Sequence, residues 1–74
     1  GFKPRYVKVV NETSGDKEEW FEGMADASAL KVLANGTHSV ITTLGITVSA
    51  TGFTVGLDLD INVTSEQLSW IAFG

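Results

Sequence analysis

Asp58-Leu59-Asp60-Ile61-Asn62 places three oxygen-bearing side chains at alternate positions, the spacing with which a calcium-binding loop begins. Carboxylate and amide oxygens suit a hard cation, but a complete loop of that type also has Gly at its sixth position and a bidentate Glu at its twelfth. Here those positions hold Val63 and Ser69. An alternating strand would put Asp58, Asp60 and Asn62 on one face by geometry alone. The expectation is therefore no metal site, with a weak ion site on an irregular loop as the alternative.

The remaining candidates for chemistry are sparse. His38 is the single histidine and there is no cysteine, which argues against nitrogen- or sulfur-rich metal sites and against a thiol nucleophile. His38 lies between Thr37 and Ser39, and a general base needs partners placed by the fold. Glu18, Glu19 and Glu22 could form a carboxylate pair for glycoside hydrolysis, but solvated acids are the default reading and the domain is small for a cleft. Gly45, Gly52 and Gly56 lack the lysine and the strand–loop–helix setting of a phosphate loop and read as turn residues. No catalytic residue, cofactor or metal is expected. Asn11, Asn35 and Asn62 each begin an Asn-x-Thr triplet; turn chemistry accounts for these, and glycosylation is not expected.

Bulk properties narrow the classes further. A 74-residue chain makes one domain with a thin core. Without disulfides or a metal, oligomerisation is the expected compensation. Five Lys and Arg stand against nine Asp and Glu, a formal charge of −4. That balance opposes nucleic-acid binding, which needs a basic footprint. The cations Lys3, Arg5 and Lys8 cluster at the start, ahead of the acids Glu12 to Asp26. No apolar run approaches the roughly 18 residues of a membrane-spanning helix, and no signal-peptide pattern opens the chain. Gly1 in place of Met leaves two readings, a processed chain or a piece of a longer one.

The pattern that must position these residues is β-rich. Arg5–Val10 follows Pro4 and alternates Tyr6, Lys8 and Val10 against Val7 and Val9. Glu19–Met24 makes a second strand after a polar turn over 11–16. Residues 26–34 are ambiguous: Ala27, Leu30, Leu33 and Ala34 recur at near-helical spacing, and a short helix ended by Asn35-Gly36 competes with an extended segment. Ser39–Thr43, Ile46–Val48 and Phe53–Val55 are short β-runs, with Gly45 a turn and Ala50-Thr51-Gly52 a tight hairpin. Residues 57–63 alternate apolar and polar as a strand or extended excursion, 64–66 turn, and Gln67–Phe73 closes the chain with Leu68, Trp70 and Ala72 on one side. The fold class is all-β, a compact small sandwich or open barrel of about six short antiparallel strands.

Among the aromatics, Trp20 and Trp70 have three readings: platforms for sugars, anchors of a subunit interface, or core residues. Gly1-Phe2-Lys3-Pro4-Arg5-Tyr6-Val7, Trp20-Phe21-Glu22-Gly23-Met24, Gly52-Phe53-Thr54-Val55-Gly56 and Leu68-Ser69-Trp70-Ile71-Ala72 together cover most of the chain. This set resembles small β-rich virion proteins of tailed bacteriophages, head-decoration and tail-fibre modules among them. The resemblance implies a non-enzymatic assembly unit. Its first form is a capsid decoration (cement) protein on the outer capsid surface, a homo-oligomer with a trimer favoured, bound to the major capsid protein. Lys3, Arg5 and Lys8 are then the expected capsid contacts, and Trp20, Phe21 or Trp70 the subunit contacts. The alternative is a carbohydrate- or receptor-binding module of a tail fibre or tail tip.

Overall fold

The computed structural model describes residues 3–58, 60–63 and 65–74. Gly1, Phe2, Leu59 and Thr64 lie outside it, as do the parts of the expected 57–63 strand and 64–66 turn that fall on them. The described residues contain no helix. Six strands, β1 (Tyr6–Asn11), β2 (Lys17–Phe21), β3 (Ser28–Val32), β4 (His38–Ser49), β5 (Gly52–Val55) and β6 (Leu68–Phe73), form one antiparallel sheet. The spatial order is β5-β4-β3-β2-β1-β6, and the sheet curls into a half-barrel.

The inner face follows from the two-residue period of a strand. In β1, Val7, Val9 and Asn11 are buried while Tyr6, Lys8 and Val10 are half-exposed. Register carries this face across the sheet: Val7 pairs with Trp20 and Ala72, and Val9 with Glu18 and Trp70. Val7, Val9, Trp20, Ile46 and Ile61 form the core, with Met24, Val48, Phe53, Val55, Leu68 and Ala72 packed against it.

The ambiguous 26–34 stretch is extended. Ser28–Val32 pairs with β2 on one side and β4 on the other, so two ladders outweigh the near-helical spacing of a few small apolar residues. Asn35-Gly36 is therefore a hairpin turn. Gly36 has φ of +91° and its N–H donates to Leu33 O, while the Leu33 N–H donates to Thr37 O. The second strand ends at Phe21, earlier than expected, because Gly23 at φ +102° and the Met24 N–H donating to Phe21 O turn the chain there.

Two expected strands, 39–43 and 46–48, are one strand with a bulge. Ala29 pairs with Ile41 but its neighbour Ser28 pairs with Ile46, leaving four extra residues on β4. Leu44 takes φ of +59° and the Gly45 N–H donates to Ala27 O. Gly45 is thus a close-approach residue inside a strand. A β-carbon there would lie 2.6 Å from the Ser28 carbonyl carbon, and one on Gly56 would lie 2.6 Å from the Leu44 carbonyl group.

The described residues of 57–63 form a loop. Asp58 Oδ1 accepts from the Asp60 N–H, and Asp58 O accepts from the N–H groups of Ile61 and Asn62. These local bonds divert the backbone from a ladder. The loop joins β5 to β6, the two opposite edges of the sheet, and buries Ile61 in the core. We expect Gly45→Ala and Gly56→Ala each to lose about 2–3 kcal/mol in urea unfolding through backbone overlap. Gly52→Ala, which meets nothing within 4 Å, should change stability by less than about 0.5 kcal/mol.

Candidate functional site

The alternation that buries Trp20 also turns Glu18 inward, because both lie on the same face of β2. Glu18 pairs with Val9 on one side and with Lys31 of β3 on the other. The Lys31 ammonium reaches past it to Asp58 and Asp60 in the connection between β5 and β6. Its Nζ lies 2.9 Å from Asp58 Oδ1, 3.1 Å from Asp58 Oδ2 and 2.6 Å from Asp60 Oδ2. The calcium-like pair of aspartates therefore closes on a cation supplied by the chain itself. Asn62, the third member of the motif, instead donates to Val55 O at 3.3 Å. Among the described residues no group of three or more His, Asp or Glu side chains converges as a metal site would require.

Asn11 completes this polar interior. It is fully buried, and its Nδ2 donates to Ile61 O at 2.9 Å and to Glu66 Oε1 at 2.7 Å. Its Oδ1 accepts from the N–H groups of Thr13 and Ser14. Glu18 differs: it is equally buried, and neither carboxyl oxygen has a hydrogen-bond partner. Burial, reinforced by the negative charge of Asp58 and opposed by Lys31, pushes its carboxyl up to about 7. Lys31 is held protonated beyond its ordinary range, first by Asp60 and also by Asp58, against the opposing effect of burial.

None of Lys31, Glu18 or Asn11 was singled out from the sequence as an interior group. The available signal was parity. Once Val7, Val9 and Trp20 are assigned inward, Asn11 and Glu18 must follow.

The expected partner-binding residues do not form a single site. Lys3 is exposed and lines a cleft of about 280 Å3 with Pro4, Trp20, Glu22 and Asp26 at one end of the half-barrel. Arg5 is exposed, with its Nε 3.7 Å from Glu22 Oε2. Trp20 is only 4% exposed and its indole N–H donates to Ala25 O at 3.3 Å. It is a core residue, which leaves its face closed to a sugar or a subunit. His38 is exposed at the start of β4, opposite Val32.

Lys8 and Phe21 lie on the outer face. There Tyr6 sits between Phe21 and Phe73, with ring centroids 5.3 and 5.9 Å away. The Tyr6 hydroxyl donates to Glu19 Oε2 at 2.5 Å; burial, then this bond, pushes its ionisation up to about 12. On the edge strand β6, Trp70 is 65% exposed, Phe73 55% and Ile71 47%. Trp70 meets the Phe53 ring edge-on at 5.2 Å. A shallow groove of about 240 Å3 runs between Lys8, Val10, Ser69, Trp70 and Ile71. Neither concavity includes Glu18, Lys31 or Asp58. The surface thus offers aromatic and apolar contact, while Glu18 and Asn11 are sealed inside.

Glu18 gives the fold a definite pH dependence. Its carboxyl ionises near 4.5 when unfolded and near 7 when folded, so between those values the folded state binds the extra proton. Stability from this group is complete below about pH 4.5 and falls as pH rises, by about 3 kcal/mol once past pH 7. Replacing it with an apolar residue of similar length, Glu18→Leu, should raise stability at pH 8 relative to pH 4.5 by that amount, read from urea midpoints at the two pH values.

Comparison of the chain with protein families, with characterised proteins and with solved structures finds no match to any of them.

Proposed function

We propose that this chain is a structural subunit of a tailed-phage particle, a capsid decoration protein that binds the outer surface of the major capsid protein lattice and stabilises the shell. The reading combines the resemblance of its residue blocks with one observation: the apolar outer surface of β2, β1 and β6. Phe21, Tyr6 and Phe73 form an aromatic row there, with Ile71 beside it and the groove around Lys8 and Trp70 adjoining. Clustered exposed aromatic and aliphatic side chains on a small domain suit protein contact. Lys8 lines that groove, and with Lys3 and Arg5, which precede β1, it offers charge for an acidic capsid face.

A decoration protein acts by linkage. Binding the assembled lattice and not its free subunits shifts the assembly equilibrium by mass action. No covalent chemistry is needed, and homo-oligomers on the shell multiply each weak contact.

A tail-fibre or tail-tip carbohydrate-binding module is the second reading, favoured by one side chain. Trp70 presents most of its surface to solvent and could stack on a sugar ring, whereas Trp20 cannot.

Purified protein added to expanded phage capsids should raise their melting temperature, and Phe73→Ala should weaken the effect about tenfold or more in midpoint concentration, the loss of a central aromatic contact. An unchanged capsid melting temperature, together with glycan-array binding abolished by Trp70→Ala, would replace this reading with the second.

A further inference from the structure

The free edge of β6 has the properties of a self-complementary interface. Leu68–Phe73 pairs with β1 on one side and has no strand on the other among the described residues. The Glu12 N–H donates to Gln67 O. In an antiparallel ladder hydrogen-bonded pairs alternate, so Ser69, Ile71 and Phe73 bond towards β1. The backbone groups of Leu68, Trp70 and Ala72 point to the open edge. The strand contains no charge, no proline and no bulge, the devices by which edge strands discourage pairing.

We propose that this edge pairs with the β6 of a second copy, antiparallel, about a two-fold axis through Ile71. That register matches bulky residues to small ones: Trp70 faces Ala72 of the second copy, Phe73 faces Ser69, and Leu68 faces Gly74. Ile71 meets itself at the axis. The hydrogen-bonded pairs it creates, Trp70 with Ala72 and Ala72 with Trp70, use the groups left open on the edge. A register one step away, centred on Trp70, would crowd two indoles together.

The outer aromatic row of Phe21, Tyr6 and Phe73 then continues onto Ser69 and Val10 of the second copy. A two-fold contact of this kind departs from the threefold arrangement implied by the resemblance, and it stands independently of the decoration reading.

Sedimentation of the full chain over a dilution series should show the mass rising from 7.9 kDa to twice that value. Ile71→Lys sets two like charges opposite each other at the axis and should shift the dimerisation midpoint about tenfold or more while near-ultraviolet circular dichroism stays native. If that variant unfolds, hydrogen exchange on the unaltered chain decides: the N–H groups of Trp70 and Ala72 should gain protection with concentration. A monomer at every concentration, a trimer, a dimer indifferent to Ile71→Lys, or protection gained on β5 instead of β6 would each overturn the proposal.

Discussion

The Lys31 ammonium, clasped by Asp58 and Asp60, is the contact on which the shape of this molecule depends. The sheet places β5 and β6 at opposite edges, and yet they are consecutive in the chain. Their connection must cross the open side of the half-barrel without a ladder to hold it. Lys31, from the middle of the sheet, fastens that crossing. Asn11 grips it again at Ile61 O and Glu66, and Asn62 ties it back to Val55. With those polar ties in place Ile61 enters the core, which in a chain of this size has few other large side chains to spare.

Glu18 sits beside this clasp as its opposite. Lys31 lies nearest it across the β2–β3 ladder but gives its hydrogen bonds to the loop, so the carboxyl stays buried and unpartnered. Keeping it neutral near pH 7 is the least costly state for such a group. The interior therefore contains one acid whose ionisation opposes folding, next to one ion pair whose rupture would strand a charge. Both effects are large against the stability usual for a domain of this length, of the order of 5–10 kcal/mol.

The strands visible from the sequence were those with one wet face and one dry one. β1 alternates cleanly and its buried set is Val7 and Val9; on β6, Leu68 and Ala72 pack against the core while Trp70, on the same side, is 65% exposed. Residues 26–34 were ambiguous because their strand character comes from pairing with β2 and β4, a non-local effect that short apolar runs do not display. Residues 57–63 misled in the other direction. Their two-residue period mimicked a strand, while the short-range hydrogen bonds of Asp58 made a turn. The same turn brought Asp58 and Asp60 to Lys31, a residue 27 positions away from Asp58 whose role no local motif could announce. The six anticipated contact residues were chosen by type, aromatic or basic. Type does not distinguish Trp20, buried against Val7, from Trp70, exposed on an edge.

The molecule is thus divided between a polar interior that fixes its shape and an aromatic exterior exposed to solvent. The proposed assembly role of that exterior requires the interior to hold the edges of the sheet in place. Urea unfolding of Lys31→Met, compared with the double variant Lys31→Met/Asp58→Asn, tests that dependence most directly. The account predicts that the single variant loses about 3–5 kcal/mol, from the buried Asp58 left without its cation, and that the double variant recovers a substantial part of it. Equal stability of Lys31→Met and the unaltered chain would contradict it, because the crossing loop would then be held without its clasp.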